Sequence, residues 1–287
     1  MTTFNKRPTF NKLPTFSIKK YAAFTLVELV MVIVVLGILS TGSVHFISNS
    51  AQGLVDSAER QALASSATIA IEKVLREVRR ALPNSVRTFE DSGNSCLELV
   101  PILHSSEYVS IPTAAAETSF NAIKFPTAIG VESSYVAVYP NSFISVYSSG
   151  QSISSSAVTV GPIDLPSTGL QTITFEGVST YRFPTESPRK RFFLVSQPIS
   201  FCEDSSGRLW RYQNYGFHLD SSTSIPTSGN NRVLIADSLR VNSLSFNILP
   251  AQLQRNAVVR MSLIIERAGS SNEIVDMSQE VQLRNVP

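Results

Sequence analysis

Residues 22–39 read AAFTLVELVMVIVVLGIL, an apolar run that is interrupted by polar side chains at Thr25 and Glu28. Counted from Tyr21 to Leu39, the run supplies 19 residues, close to the ~20 that an α-helix needs to cross a bilayer. No A-x-A-like cleavage site ends it, so the sequence predicts a retained anchor rather than a removed secretory signal. A lone carboxylate in so apolar a segment needs an explanation.

The charges on either side of the run differ in sign and density. Between Lys20 and Asp56 the only formal charge is Glu28, and no Lys or Arg follows until Arg60. Lys19 and Lys20 stand directly before the run. The positive-inside rule therefore predicts a cytoplasmic N-terminus, with the remainder of the chain across the membrane.

The basic character of the chain belongs to its first residues. Residues 1–23 hold 5 of the 24 Lys and Arg and no acid, which leaves 19 basic residues against 22 acidic ones beyond them. Nucleic acid is therefore not expected as a partner of the rest. Residues 3–16 read TFNKRPTFNKLPTF, a small repeat in which Pro8 and Pro14 break any helix, and we expect a disordered cytoplasmic leader.

A single long helix is predicted beyond the leader. No proline occurs from Phe24 to Leu82, and Pro83-Asn84 then stops the helix. The first half, 24–50, is apolar all round, whereas the second half, 51–82, is amphipathic. At 1.5 Å per residue the helix would extend roughly 85–90 Å. The apolar positions of the second half recur at steps of three and four: Leu63, Ala67, Ile71, Val74, Val78 and Leu82.

Residues 83–287 change in character and predict a mainly antiparallel β head. Short β-branched and aromatic runs alternate with Ser, Asn, Gly and Pro, and no comparable helical period occurs. Two serine-rich segments, 142–156 and 220–231, are predicted to be exposed loops. The fold class is thus α+β, a long helix packed on a β head in a lollipop plan. The predicted strands lie in CLELVPIL, YVAVYP, LQTITFEG, RFFLVSQPISFC, RLWRYQNYGFH, RVLIADSLRVNSLSFNIL, AVVRMSLIIERAG and IVDMSQEVQL.

The two cysteines, Cys96 and Cys202, both fall in the part predicted to be translocated. In an oxidising compartment an even pair favours a disulfide. Two separately buried thiols are the alternative.

Residues that could carry catalysis or bind a metal do not form a recognisable site. His45, His104 and His218 lie far apart, without the spacing of zinc ligands. No nucleophile elbow, phosphate loop or dinucleotide-binding motif occurs in the sequence. We therefore expect no metal, no cofactor and no enzymatic activity.

Several smaller features of the head have a plain structural interpretation. Glu203-Asp204 precedes Ser-Ser-Gly and is typical of a hairpin turn rather than of an acid/base pair. Residues 188–191, PRKR, form the densest cation cluster of the head, either a solvated loop or a contact for phosphate or a partner. Trp210 and Tyr212, beside Arg211, are typical of the core and rim of a strand.

Glu28 has two interpretations. As an isolated acid it could lie near the headgroups, be protonated or extend toward the surface, at a cost of a few kcal/mol at mid-bilayer on insertion scales. Its neighbours favour another interpretation. Residues 23–29, AFTLVEL, resemble the processing site of type IV prepilins and type II secretion pseudopilins.

The resemblance implies a set of site residues. A membrane peptidase would cut between Ala23 and Phe24, and the new N-terminus would be N-methylated at Phe24. Glu28 would be the anchor glutamate, a docking charge for an ammonium four residues away, about 6 Å of helix rise. Ala23 stands where the family usually has glycine. The proline that many major pilins carry in the anchor is also missing, and Gly37 and Gly42 are the candidate positions for local helix melting.

Length and local stretches indicate the kind of pilin. Cleavage would leave 264 residues, longer than most major pilins, which favours a minor subunit. Three stretches, LREVRRALPNSVR, SCLELVPIL and RFFLVSQPISFC followed by LWRY, resemble the MshO-type minor pilin of the mannose-sensitive haemagglutinin (MSHA) pilus. A J-type pseudopilin of type II secretion, or a tip adhesin or DNA-binding minor pilin, is the alternative.

The resemblance also implies partners and a location. The expected partners are the prepilin peptidase/N-methyltransferase, other minor pilins, the major pilin and the inner-membrane assembly platform. The precursor would be a single-pass inner-membrane protein with a periplasmic head, later part of a pilus or its base or tip. The expected organisation is a leader at 1–23, a helix in two halves at 24–50 and 51–82, and a head at 83–287.

Overall fold

A computed structural model gives the fold of the chain. It describes residues 24–91, 93–125, 134–148, 151–154, 158–160, 169–176, 180–220, 225, 231–250, 256–267 and 270–283, without the side chains of 159–160 and 270–272. The predicted leader, Ala23 and most of the serine-rich segment 220–231 lie outside the described residues.

One helix, α1, spans Leu26–Arg79. The chain forms two compact units, Met1–Ser57 and Ala58–Pro287, so the last turns of α1 belong to the same unit as the head. The helix ends three residues before the predicted Leu82. The reason is tertiary, because Leu82 N–H donates to Val100 O at 2.8 Å and Ile102 N–H donates to Arg80 O at 2.8 Å. Those bonds take residues 80–82 into strand-like pairing.

The described part of the head contains a short helix, α2 (Phe143–Tyr147), and 14 strands. The strands are β1 (Arg87–Asp91), β2 (Asn94–Leu99), β3 (Ile102–Ser110), β4 (Ser119–Ile123), β5 (Tyr135–Val138), β6 (Val158–Val160), β7 (Leu170–Phe175), β8 (Arg191–Val195), β9 (Ile199–Glu203), β10 (Leu209–Tyr212), β11 (Arg232–Ala236), β12 (Ser245–Leu249), β13 (Val258–Arg267) and β14 (Ser270–Gln282).

These strands form three sheets in which every pair is antiparallel, as the sequence predicts. Their orders are β1-β2-β9-β10-β11, β12-β13-β14 and β5-β8-β3-β4-β7-β6. The chain passes twice between the first and the third sheet, and each passage contains a proline. Pro101 separates β2 from β3, and Pro198 separates β8 from β9. Proline has no N–H for a ladder, so it ends one strand before the next begins.

The main core lies between α1 and the first two sheets. The predicted apolar stripe of the helix is confirmed from Ala67 to Val78, and Ala70 and Leu75 add to it. It packs on Leu97 and Phe201 of the five-stranded sheet, and on Val259 and Met261 of the three-stranded one. The apolar stripe of α1 thus packs against residues of both sheets. Helix-on-sheet packing of this kind is what gives an α+β head its core.

A second core lies in the six-stranded sheet and is rich in aromatic rings. Phe120 contacts Phe192 edge-on with ring centroids 5.4 Å apart, and Tyr181 contacts Phe183 in the same way at 4.8 Å. Edge-to-face pairs of this kind add to the stabilisation from burial. The sheet that carries them is joined to the rest of the head through the proline passages.

The described residues of the serine-rich segment, 142–148 and 151–154, do not form the exposed loop that its composition predicts. Ser142 caps α2, with its hydroxyl accepting from Ser145 N–H in a capping box. Val146, Tyr147 and Ile153 are almost fully buried and pack in one cluster with Phe193 and its neighbours. Serine side chains here satisfy backbone groups, which allows the few apolar residues between them to enter the core.

Candidate functional site

The N-terminus of α1 is closed by Thr25. Its hydroxyl accepts a hydrogen bond from Glu28 N–H at 3.3 Å, and its carbonyl accepts from Leu29 N–H at 3.2 Å. Phe24 thus immediately precedes the cap of the helix, and Glu28 occupies its first turn. Thr-x-x-Glu is the sequence signature of a helix N-cap, so the cap was readable from the sequence. The Thr25 cap is nevertheless not among the features predicted from the sequence.

Glu28 is surrounded by exposed apolar side chains. Leu26 is 77% exposed, Met31 is 66% exposed, and other large apolar residues as far as Val55 are similarly open. Exposed apolar area costs roughly 25 cal/mol per Å² in water. Within the described residues, α1 is the helix long and apolar enough to cross a membrane. This surface therefore has the chemistry to be covered by lipid or by other apolar helices.

The two candidate melting glycines, Gly37 and Gly42, lie within α1 and are helical. A Cβ added at either position would meet nothing within 4 Å. In the isolated subunit these glycines therefore have no packing reason to lack a side chain. What remains is their lower helix propensity, about 1 kcal/mol each relative to alanine.

Cys96 and Cys202 lie opposite each other in the β2–β9 register, with Cα atoms 4.4 Å apart, and their sulfurs are joined as a disulfide. Both residues are buried beside Tyr212, and Phe89 and Trp210 pack against the same cluster. The bridge spans 106 residues of sequence and ties two neighbouring strands of the first sheet.

Glu203-Asp204 belongs to the predicted turn, here the hairpin between β9 and β10. Asp204 accepts from Ser206 N–H, Arg208 N–H and Trp210 Nε1–H. Although burial raises the pKa of the Asp204 carboxyl, these hydrogen bonds outweigh that effect and lower its pKa. An acid held in its charged form by the turn it closes has a structural role.

A buried charged network was not foreseen from the sequence. Glu98 on β2 has no exposed side-chain area and pairs with Arg87 Nε on β1 at 2.5 Å. Tyr215 Oη–H donates to the other carboxylate oxygen of Glu98 at 2.8 Å. Burial raises the pKa of the Glu98 carboxyl, and the charge and hydrogen bond of Arg87 oppose that rise. The guanidinium also lies 3.7 Å from the centroid of the Tyr147 ring.

The remaining candidates of the head are separated from one another. Arg211 pairs with Glu77 of α1 at 2.9 Å, which links the helix to β10. Arg189 and Arg191 line an open cavity at the end of α1. In the described part of the chain, no group of three His, Cys, Asp or Glu side chains is placed to hold a metal ion.

Comparison with known proteins bears on the N-terminal helix. Residues 18–44 match the family model of the prokaryotic N-terminal methylation motif, which is type IV pilin-like. No curated protein and no solved structure matches the chain. The matched segment includes Phe24, the Thr25 cap, Glu28 and the exposed apolar half of α1. The chain therefore carries the N-terminal motif of type IV pilin-like proteins, followed by an α+β head.

Proposed function

We propose that the chain is a prepilin that becomes a minor subunit of an MSHA-type type IV pilus and takes part in initiating its assembly. The observation that carries the proposal is the continuity of the methylation motif at 18–44 with a helix whose apolar side chains are exposed as far as Val55. The motif is typical of structural proteins, which supports a role as a substrate of processing enzymes rather than as an enzyme.

The exposed apolar surface of α1 is suited to two successive environments, first the lipid bilayer and then the packed helices of a pilus. In the first, residues 24–50 cross the inner membrane once, with the leader 1–23 in the cytoplasm and the head 83–287 in the periplasm, following the basic residues Lys19 and Lys20. In the second, the same surface leaves lipid and packs among the helices of other minor pilins and the major pilin on the assembly platform. The amphipathic half, 51–82, remains with its head throughout.

In this proposal Glu28 assists the transfer from the membrane to the pilus by forming a charge pair. Cleavage between Ala23 and Phe24 creates an ammonium at Phe24, and N-methylation leaves it cationic. An unpaired charge in lipid or in a packed apolar core is costly, whereas a pair is far less so. Glu28 therefore pairs with the ammonium of its own chain or of a neighbouring subunit, and so determines the axial register of the incoming subunit.

Mass spectrometry of the mature N-terminus tests the processing step. We expect a chain that begins with N-methyl-Phe24 when it is produced with a prepilin peptidase, and a chain that retains its leader when the peptidase is absent. A chain that keeps residues 1–23 in the presence of the peptidase contradicts the proposal. A neighbourhood of secretion genes rather than pilus genes would move the chain to the J-type pseudopilins.

Two substitutions separate the docking charge from the helix cap. Glu28→Gln keeps the shape and the N–H that Thr25 accepts but removes the charge, so we expect normal membrane insertion and lost incorporation into pili. Thr25→Val removes the capping hydroxyl and keeps the charge, so we expect incorporation to persist. Incorporation is measured by immunoblotting of sheared pili. If Glu28→Gln incorporates normally, or if both variants fail equally, the docking-charge account is wrong.

A further inference from the structure

An arginine-lined cleft lies where α1 ends against the six-stranded sheet. It has a volume of about 760 Å³, within the range of small-molecule sites. Arg79 contributes from the last residue of α1 and Arg80 from the residue after it, whereas Arg191 contributes from the start of β8 and Arg189 from the turn before that strand. The two pairs are more than a hundred residues apart in sequence, so only folding brings the four guanidiniums to one cavity.

The local structure directs these cations into the cleft. Arg189 lies in a turn in which Lys190 has a φ of +51° and donates its N–H to Ser187 O at 2.9 Å, and Arg191 begins β8 directly after that turn. The intervening Lys190 points elsewhere, since its Nζ donates to Val109 O at 3.3 Å. Glu107 on β3 lies opposite Arg191 in the register and also lines the cleft.

The four guanidiniums have no carboxylate partner among the residues that the structure describes, a state that Arg76, Arg182 and Arg232 share. In the part of the chain that the structure describes, seven other arginines pair with carboxylates, at positions 60, 87, 208, 211, 240, 260 and 267. None of the four forms such an ion pair among those residues, although Glu107 is in the same cleft. Four unpaired guanidiniums against one carboxylate leave a net charge of about +3, which favours an anion.

The other lining groups indicate what kind of anion. Glu107, Asn256 and Ser105 are exposed and line the same cleft, and they can bond neutral hydroxyl groups. The aromatic rings of the lining are unsuited to base stacking, because Phe193 is only 6% exposed and His104 contacts Phe125 at 5.6 Å between centroids. Nucleic acid bound as a single strand ordinarily uses such stacking.

We propose that this cleft binds an acidic oligosaccharide, with the arginines on its carboxylate or sulfate groups and Glu107, Asn256 and Ser105 on its hydroxyls. Guanidinium forks match such oxyanions in bidentate geometry. The site would give the head a ligand-binding activity beyond the proposed role of the subunit in assembly.

Binding is measured with the full chain in a nonionic detergent by isothermal titration calorimetry. The probes are tetragalacturonate, a heparin-derived tetrasaccharide, neutral maltotetraose and single-stranded DNA of twelve nucleotides. We expect at least one acidic tetrasaccharide to bind, the choice between them showing whether carboxylate or sulfate is preferred. Maltotetraose should bind at least a hundredfold more weakly. Binding of neither acidic probe, or tighter binding of the DNA, overturns the proposal.

Substitutions locate the site and test its two kinds of contact. Arg189→Gln/Arg191→Gln should weaken binding roughly a hundredfold, about tenfold for each guanidinium, whereas the exposed control Arg182→Gln should change it less than twofold. Glu107→Ala distinguishes a sugar from a simple anion. If the ligand is a sugar, the substitution should weaken its binding roughly threefold, because it removes an acceptor for a hydroxyl group. A gain in affinity would instead show a site for simple anions and refute the saccharide proposal.

The same variants also test the assembly proposal independently, through their incorporation into pili. Arg189→Gln/Arg191→Gln should still enter sheared pili at the wild-type level. Loss of the saccharide with normal incorporation supports the cleft as a distinct site. Parallel loss of incorporation would instead assign the arginines to contacts between subunits and overturn the proposal.

Discussion

Replacing Arg87 with methionine should destabilise the head through a charge that the substitution leaves behind. The Glu98 carboxylate has no exposed side-chain area, and Arg87, itself only 13% exposed, pairs with it at 2.5 Å. In Arg87→Met the hydrogen bond that remains to the carboxylate among the described residues is the one from Tyr215, at 2.8 Å. Breaking a buried pair on one side typically costs about 3–5 kcal/mol of unfolding free energy, and we expect that loss at pH 7.

The complementary change should cost less, because Arg87 keeps other partners. In Glu98→Gln the guanidinium still donates to the carbonyl oxygens of Leu219 at 2.6 Å and His218 at 2.7 Å. We expect a loss of about 1–2 kcal/mol, the scale of one charged hydrogen bond. The double variant has no buried charge left unpaired, so its loss should fall at least 2 kcal/mol short of the sum of the single losses.

The cost of Arg87→Met should also depend on pH. Burial raises the pKa of the Glu98 carboxyl in the folded state above its ordinary 4.5, and removing the arginine raises it further. The folded variant therefore takes up a proton more readily than the unfolded chain as pH falls. Its deficit should be largest at neutral pH, shrink as pH falls through the folded pKa, and lose its electrostatic part below about 4.5.

Urea unfolding of the full chain in detergent measures these differences, with the single tryptophan, Trp210, as a fluorescence reporter inside the head. The reasoning is refuted if Arg87→Met loses less than about 1 kcal/mol at pH 7, or if the two single losses simply add in the double variant. A deficit that does not change between pH 7 and pH 4 would likewise show that the charge of Glu98 is not its cause.

Three further predictions use the same unfolding measurement. Ile71→Ala should lose about 2–4 kcal/mol because Ile71 is fully buried on the helix, whereas Ile69→Ala, at a 52% exposed position, should change stability by less than about 0.5 kcal/mol. Equal losses would contradict the packing of α1. Gly207→Ala should lose about 2–4 kcal/mol, because φ is +68° and the added Cβ would clash with the backbone carbonyl oxygen of Leu239; a neutral result would refute this turn geometry. Replacing Cys96 and Cys202 with alanine should lose about 2–4 kcal/mol. Because both side chains are buried, the thiols are labelled in the urea-unfolded chain: they should react with a maleimide only after reduction, and reaction without reduction would exclude the bridge.

Much of the fold was predictable because it rests on local patterns. The apolar run from Phe24 and the three-and-four spacing through Val78 predict a helix that changes from apolar to amphipathic, and α1 follows that pattern. The β-branched runs predict most strands and their antiparallel pairing. The predictions were wrong where composition misled, as in the serine-rich segment whose Val146 and Tyr147 are buried.

The sequence by itself determined the N-terminal site. Phe24, the Thr25 cap and Glu28 lie within five consecutive residues, so their relation follows from spacing alone, and the methylation motif matched at 18–44 is a local feature of the same kind. The low helix propensity of Gly37 and Gly42 is likewise evident from the sequence, as two weak points of a helix.

The tertiary structure alone decided what lies far apart in sequence. It placed Arg80 and Arg191 in the lining of one cleft, and it buried Glu98 in contact with Arg87 and Tyr215. Strand order and register decide such meetings, and they depend on which apolar faces pack together across the whole head. A pattern of neighbours along the chain carries no information about that choice, because every antiparallel arrangement of these strands would satisfy the same local alternation.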